Sequence, residues 1–170
     1  MSSEESTLDI FEAKTLEERD LFISILEESF KGWYLSHSER TLRSIEKVFG
    51  ARLGGEVVGV VMLKFIEPTQ GYVYYIAVSP KHRGLKIGGR LLEHSLSYFA
   101  ERGANVVFAS LTVEHGDESR RLFLSHGFVE TNFGEISKRY GRLHAINMYR
   151  KMLVVSGEVV AYRDINQKLS

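Results

Sequence analysis

Hydrophobic positions along the chain switch between two spacings, and this switching predicts strands and helices in alternation. Residues 8–13 partly alternate between apolar and polar side chains and predict a first strand. Residues 15–18 have the form of a capping box, and the helical stripe that follows is predicted to stop at Gly32. A second box-like start at Ser36 predicts another helix that runs through Phe49.

The middle of the chain predicts a compact succession of strands with one helix among them. Residues 51–66 form a predicted hairpin around the Gly54-Gly55 turn. The next strand, 72–78, is largely apolar on both faces, which is typical of a central position in a sheet. A helical stripe over 87–99 and a mostly apolar strand over 106–113 follow.

The last third of the chain predicts one short helix and further strands. Asp117 is predicted to cap a helix that ends before a strand from Phe128. A polar loop is predicted over 132–144 and a last long strand over 145–155, while 157–162 adds a short strand or a tail that packs on a partner. The predicted order is β-α-α-β-β-β-α-β-α-β-β, a mixed α/β layout without a dividing linker.

Trp33, Tyr34 and His37 lie between the first two predicted helices, and two interpretations of them stay open. In one, the aromatic rings seal the edge of the core. In the other, they form a loop that faces a substrate.

Composition bounds the function classes. At 170 residues the chain is predicted to form a single domain, 1–170. The formal net charge is zero, which argues against a general nucleic-acid binder. The absence of cysteine excludes disulfides and thiolate chemistry, and the six histidines show no metal-ligand spacing, so no metal site is predicted. Without a signal-peptide pattern or a membrane-length apolar run, we expect a cytoplasmic protein with no membrane partner.

The stretch from 76 to 92 is the strongest candidate for a binding site. An apolar strand, a proline, several glycines and a helix start follow one another there. Glycines let backbone N–H groups approach a ligand, and a helix N-terminus holds unpaired donors, so the stretch predicts an anion site of the kind phosphate occupies. Close strand–helix packing alone also accounts for the glycines. The basic residues of the stretch are Lys81, His82, Arg83, Lys86 and Arg90.

Here the chain resembles the GNAT family of N-acetyltransferases. The segment Ile76–Pro80 is similar to the end of that family's central strand, and Arg83–Gly88 is similar to its acetyl-CoA signature, except that Lys86 stands where a glycine is usual. Downstream, the Leu111-Thr112-Val113 run, the Gly127-Phe128 pair and the segment 145–151 are similar to later family elements. The resemblance implies a mostly antiparallel central sheet flanked by helices, a core of about 8–153 and a C-terminal extension over 154–170.

The resemblance also implies which residues bind acetyl-CoA. The backbone of Ile76 and Val78 would pair with the pantetheine arm, with the Val78 N–H directed at the thioester oxygen. Backbone N–H groups from Arg83 to Gly88 would hold the pyrophosphate. The implied cofactor-binding set is Ile76, Ala77, Val78, Arg83, Gly84, Leu85, Lys86, Ile87, Gly88, Gly89 and Phe123.

Three side chains are candidates for moving protons in such a reaction. Glu114 and His115 follow the strand over 106–113 and are the candidate bases. Tyr140 is the candidate acid, because Phe123 stands where the family usually carries its acid tyrosine. Tyr72 stands where some relatives carry a catalytic glutamate, but a tyrosine is a poor base near neutral pH. Each candidate also has an ordinary structural interpretation, and a water relay needs no single base.

The function that the resemblance implies is direct transfer of an acetyl group from acetyl-CoA to a primary amine. A protein or peptide amine is favoured over a small-molecule amine, as a soft preference. The alternative is a non-catalytic acyl-CoA-binding module, which Phe123 and Gly116 keep open because both replace usual family residues. An exposed edge formed by Val154-Val155 and Val159-Val160 leaves a homodimer open.

Overall fold

The computed structural model describes residues 7–112 and 117–165 of the chain. Across these residues strands and helices alternate as a mixed α/β fold. The strands are β1 (Leu8–Glu12), β2 (Lys47–Leu53), β3 (Glu56–Glu67), β4 (Gln70–Val78), β5 (Val106–Thr112), β6 (Val129–Thr131) and β7 (Glu158–Asp164). The helices are α1 (Leu16–Asp20), α2 (Ile23–Ser29), α3 (Gly32–Ser44), α4 (Ile87–Glu101), α5 (Asp117–Ser125), α6 (Phe133–Tyr140) and α7 (Arg142–Met152).

The strands form a seven-stranded sheet in the order β1-β2-β3-β4-β5-β7-β6. The β1–β2, β2–β3, β5–β7 and β6–β7 pairs are antiparallel. The β4–β5 pair is parallel and runs from Gln70 opposite Val106 to Val73 opposite Ala109. This arrangement confirms the predicted fold class, a mixed and mostly antiparallel sheet flanked by helices.

Contacts within the chain divide it into two compact units. The first comprises the residues up to Leu63 together with Tyr75–Ser95. The second comprises Lys64–Tyr74 and the residues from Leu96 onward. That the whole chain forms a single domain stays a prediction.

In the first unit, the predicted capping box is present. The Thr15 hydroxyl accepts a hydrogen bond from the Glu18 N–H at 3.1 Å, and the Glu18 carboxylate accepts one from the Thr15 N–H at 3.2 Å. The single helix predicted after this box is two helices, α1 and α2, separated at Leu21-Phe22. Phe22 is fully buried at this break, so core packing of its ring decides where the first helix ends.

The second predicted helix is wrong at both of its ends. It begins at Gly32 rather than Ser36, so Trp33 and Tyr34 lie on the helix and not in a loop. Its predicted end belongs to β2, where Phe49 pairs with Glu12 of β1 and Val61 of β3. A short apolar run is compatible with both helical and strand spacing. Here the pairing of Phe49 with strands on both sides makes the segment a strand.

Gly50 is therefore a strand residue rather than a helix stop. A Cβ atom at this position would lie 2.4 Å from Phe22 Cζ and 2.7 Å from Phe11 Cζ. The absent side chain leaves room for two aromatic rings against the sheet.

In the second unit, the loop predicted over 132–144 is wrong, because α6 and the start of α7 occupy it. The Asn132 side chain caps α6 by accepting from the Glu135 N–H at 2.9 Å, and Ile136 anchors the helix in the core. Gly141, at φ +90°, separates α6 from α7. An Asn-x-x-Glu pattern was thus the signal that a loop interpretation overlooked.

The strand predicted over 145–155 is also wrong, including the segment similar to a family closing strand. Residues 142–152 form α7, and Ala145, Met148 and Met152 are buried at helical spacing along it. They pack in a core cluster with Phe108 and Val160. The family resemblance suggested a strand here, but the buried stripe has period 3.6.

The segment after Met152 contributes β7 to the interior of the sheet. Val160 of β7 lies opposite Ser110 of β5 on one side and Thr131 of β6 on the other. The predicted free edge is therefore wrong at Val160, because both sides of β7 are paired there. The short strand predicted over 157–162 is confirmed in β7.

Candidate functional site

The candidate site begins where β4 runs past its parallel partner. The ladder with β5 ends at Val73, and β4 continues for five residues to Val78. Within the first unit, the Ser79 N–H donates to the Val58 carbonyl of β3 at 2.8 Å, which fixes the exit from the strand. Ile76, Ala77 and Val78 thus form the last ordered residues of β4 before the turn.

The turn between β4 and α4 has two residues in the left-handed region of backbone space. Pro80–His82 form a short 3-10 helix, and Gly84 follows at φ +83°. Lys86 has φ +61°, a conformation that favours glycine. The lysine that replaces the usual family glycine therefore keeps a glycine-like backbone conformation, which supports a requirement for that backbone shape.

The N-terminus of α4 is packed tightly against β3. Ile87 and Leu91 are buried, and a Cβ atom on Gly59 would lie 2.9 Å from Leu91 Cδ1 and 3.2 Å from Ile87 Cγ2. The first intrahelical bond runs from the Arg90 N–H to the Lys86 carbonyl at 3.1 Å. The N–H groups of Ile87, Gly88 and Gly89 precede it, so these donors and the helix dipole are directed at the turn.

Exposed cations surround this helix start. Lys81, Arg83, Lys86 and Arg90 are exposed, and Leu85 is 57% exposed. His82 differs, because its Nε2 atom lies 3.5 Å from the Glu56 carboxylate and its side chain is mostly buried. The turn therefore combines backbone donors, a helix N-terminus and exposed positive charge, the combination that binds phosphate groups.

Two of the predicted catalytic residues, Glu114 and His115, lie outside the described residues, as does Gly116. Tyr140 lies at the end of α6 in the second unit. Its hydroxyl oxygen is buried without a hydrogen-bond partner among the described residues, and burial raises the pKa of this phenol. Its ring lines a cavity of about 270 Å³ together with Phe108, Arg139 and Tyr162.

Phe123 and Tyr72 are both core residues of the second unit. Phe123 is 3% exposed, and its ring meets that of Phe128 edge-on at 5.0 Å. The Tyr72 hydroxyl lies 2.8 Å from Ser110 Oγ and 3.1 Å from the Met152 carbonyl oxygen. Tyr72 therefore has a structural hydrogen bond, and a contact between Phe123 and the cofactor stays a prediction.

Sequence reasoning missed a half-buried carboxylate, Glu158. It lies on β7 opposite Thr112, the last residue of β5, and accepts a hydrogen bond from the Val155 N–H at 2.8 Å. Burial raises the pKa of Glu158. Burial also raises the pKa of Tyr74 to about 12, and the negative charge of Glu158 adds to that rise. The sequence signal for Glu158 was its position two residues before Val160, which places an acidic side chain on the same strand face as an apolar one.

Two further features of the described residues bound the chemistry. No group of three or more histidine or acidic side chains is arranged there to hold a metal ion. Among the same residues, every helix is too short or too polar to span a bilayer.

The sequence matches the family model of the acetyltransferase (GNAT) family over residues 10–128. The match includes β4, the left-handed turn and α4. It ends before Tyr140 and Glu158. The sequence matches no curated protein.

Several solved structures have a similar fold. The ribosomal-protein-S18-alanine N-acetyltransferase of Escherichia coli superposes with a TM-score of 0.68 at 13% identity, covering 96% of this chain and 99% of that one. Ard1 of Thermoplasma volcanium superposes with a TM-score of 0.69 at 18% identity, covering 94% of this chain and 98% of that one. The paia N-acetyltransferase of Thermoplasma acidophilum was solved with coenzyme A. It superposes with a TM-score of 0.67 at 12% identity, covering 94% of this chain and 99% of that one. At these identities the likeness shows the fold.

Proposed function

The chain belongs to the acetyltransferase (GNAT) family, and on that premise we propose that it transfers an acetyl group from acetyl-CoA directly to a primary amine. The single observation that carries the proposal is the left-handed turn at Gly84 and Lys86, which leads into the N-terminus of α4. A lysine tolerates this backbone conformation poorly, so its presence there supports a functional demand on the turn.

Each part of the turn has a role in this reaction. Backbone N–H groups from Arg83 to Gly88 hold the diphosphate of coenzyme A, and the Lys86 ammonium adds charge beside it. The backbone of Ile76 and Val78 pairs with the pantetheine arm as an added strand does. Acetyl-CoA supplies the thioester carbon that the amine nitrogen attacks.

The Val78 N–H donates to the oxyanion that develops on the thioester carbonyl. A donor of this kind is worth about 3 kcal/mol of transition-state stabilisation in well-studied acyl transfer. The C–N bond forms, the C–S bond breaks, and the electron pair leaves with the coenzyme A sulfur, while the nitrogen gives up one proton to water to become the neutral amide. A thiolate is a fair leaving group without a proton because thiol pKa values lie near 8.5.

The acceptor that we favour is the amine of a peptide or protein. One structural neighbour is named for acetylating an alanine of a ribosomal protein, which supports this preference. Glu114 and His115 are the bases that the sequence offers, but they lie outside the described residues, and Tyr140 stays the proposed acid. The buried, unpartnered Tyr140 hydroxyl supports a polar role for that residue.

Release of free thiol from acetyl-CoA over a panel of amines tests the proposal. The panel contains a short peptide with a free N-terminus, an Nα-acetylated lysine amide, spermidine and butylamine. Gly88→Asp places a carboxylate at the second residue of α4, where it repels the diphosphate, so we expect both turnover and coenzyme A binding to be lost.

A matched control exists in the same chain. Gly134 is the second residue of α6, and Gly134→Asp adds the same charge to a different helix start. This variant should keep wild-type binding of coenzyme A. Tight binding of coenzyme A by the wild-type protein with no turnover of any amine would instead identify an acyl-CoA-binding module.

A further inference from the structure

Three aromatic side chains of α3 form an ordered cluster. Trp33 and His37 are four residues apart, so they lie on the same face of the helix. Their rings stack with centroids 4.8 Å apart and an interplanar angle of 8°. The Tyr34 ring meets Trp33 edge-on at 5.1 Å. This packing holds the imidazole of His37 in one orientation.

The cluster is joined to β4 through a hydrogen bond between side chains. The Nδ1 atom of His37 lies 2.7 Å from the Tyr75 hydroxyl oxygen, and the pair is partly buried. Phe30 packs edge-on against the Tyr75 ring at 5.3 Å from the other side. With the imidazole proton on Nε2, Nδ1 accepts the hydrogen bond that the tyrosine donates.

Exposure of the indole distinguishes this cluster from an ordinary core edge. Trp33 is 48% exposed, although tryptophan gains more than most residues from burial. An exposed indole face attracts ammonium groups more strongly than the other aromatic rings do. The primary amine of an acetyl-transfer acceptor is an ammonium near neutral pH.

We propose that Trp33, His37 and Tyr75 form the acceptor site, which binds a protonated aliphatic amine against the indole and removes its proton. The inference rests on the proposed transferase function and assigns the acceptor half of that reaction. Tyr75 precedes Val78 by three residues, about 10 Å of strand. The acceptor site therefore lies on the strand whose last residue carries the proposed oxyanion donor.

The proton transfer balances as a relay. The Tyr75 hydroxyl oxygen accepts a proton from the ammonium while its own proton moves to Nδ1 of His37. The tyrosine stays neutral, and the imidazolium carries the positive charge and later returns its proton to solvent. The neutral amine then has the lone pair that attacks the thioester. Tyr75 contacts the acceptor, and His37 acts through it as a positioning and proton-accepting residue.

Trp33 gives a direct binding test because it is the only tryptophan of the chain. Its fluorescence is followed in the presence of saturating coenzyme A during titration with butylamine, spermidine or the tripeptide amide Ala-Ala-Leu. We expect a saturable change with at least one of these amines and none with its N-acetylated counterpart. The absence of a saturable change with all three overturns the inference. Binding without turnover would leave this site supported and count against the proposed function alone.

Kinetics separate binding from proton transfer for the best acceptor. Trp33→Leu should raise the KM for the amine about two- to thirty-fold with little change in kcat. Tyr75→Phe keeps the ring and should lower kcat at least about a hundredfold with little change in KM. Unchanged coenzyme A affinity and thermal midpoint in both variants show that the protein is folded. Wild-type kcat in the Tyr75→Phe variant overturns the relay.

An acceptor that arrives unprotonated gives the decisive comparison. Fluorine atoms on the carbon next to the aminomethyl group lower the pKa of the amine, so 2,2-difluorobutylamine needs less help from a base than butylamine does. The kcat defect of Tyr75→Phe, and of His37→Gln, should shrink at least about tenfold with the fluorinated amine. An equal defect with both amines indicates a purely structural role and overturns the relay.

Discussion

Gly59 of β3 lies against Leu91 of α4 so closely that a Cβ atom on the glycine would come within 2.9 Å of Leu91 Cδ1. This contact determines how near the start of α4 approaches β3, which is the neighbour in the sheet of the strand that precedes the turn. We expect Gly59→Ala to shift the helix start and weaken coenzyme A binding several-fold. It should also destabilise the protein by about 1–3 kcal/mol through overpacking.

Gly50→Ala is the matched control, measured by the same calorimetric titration and urea unfolding. Its Cβ atom would clash with Phe22, which lies between α1 and α2, and with Phe11 of β1. Stability should fall while coenzyme A affinity stays at the wild-type value. Equal affinities for the wild-type protein and Gly59→Ala would contradict the proposed role of this contact.

Lys86 combines an unfavourable backbone conformation with a useful charge, and two substitutions separate these effects. Lys86→Ala removes the ammonium and keeps the strain at φ +61°. Lys86→Gly removes both, so we expect it to be more stable than the alanine variant by about 0.5–1 kcal/mol. Both variants should bind coenzyme A more weakly than the wild type, and by the same factor. Their affinity for coenzyme A should also depend less on salt concentration than the wild-type affinity does. If the Lys86→Gly variant were less stable than the Lys86→Ala variant, the turn would be unstrained.

Arg19 connects three segments of the first unit through its guanidinium group. Nε donates to the Ala13 carbonyl at 3.2 Å, and Nη1 donates to the Leu42 and Ile45 carbonyls at 3.0 and 2.8 Å. The side chain is buried, and burial lowers its pKa. Arg19→Met leaves buried carbonyls unsatisfied and should cost about 3 kcal/mol in the free energy of unfolding.

Arg43→Met is the exposed control for that measurement. The Nε atom of Arg43 lies 3.9 Å from Oδ1 of Asp20, and both side chains are more than half exposed. Its loss should change the unfolding free energy by less than about 0.5 kcal/mol. Similar losses in the two variants would show that burial of Arg19 is not what makes it important.

Glu158 should make stability depend on pH. Its pKa is raised in the folded protein, so the folded state binds a proton more tightly than the unfolded chain does. Stability is therefore lost as the pH rises from the ordinary glutamate pKa through the raised folded value. Glu158→Gln keeps an acceptor for the Val155 N–H and should increase stability at pH 7 by less than about 1 kcal/mol. Urea melts at pH 4 should show almost no difference, and a difference that is larger at pH 4 than at pH 7 would contradict the assignment.

Local signals in the sequence predicted the cofactor half of the candidate site. The strand before the turn, the Pro80 stop and the stripe of α4 are contiguous, so their periods and breakers predict them without knowledge of the rest of the chain. The Thr15 capping box is also local, and its hydrogen bonds are present. The match to the family model confirms the family resemblance. The motifs over 76–92 that carried this resemblance are contiguous, so the sequence alone could show it.

Short apolar runs were predicted wrongly where only packing distinguishes a helix from a strand. Val48 and Phe49 continue a helical stripe on paper, yet both pair with β3, and Phe49 also pairs with β1. Residues 145–155 were predicted as a strand, yet Ala145 and Met148 pack as a helical stripe in the core. Sequence period alone is ambiguous over so few residues, and burial decides between the two.

By itself the sequence determined the mixed α/β class, the family and the position of the turn between β4 and α4, because these depend on neighbours along the chain. Tertiary structure alone decided that Lys86 adopts a left-handed conformation, that β7 lies inside the sheet and that His37 meets Tyr75. The last two join residues far apart in the sequence, and the energies that bring such residues together come from packing and pairing across the fold. No local pattern records those energies, so they become visible only when the chain is folded.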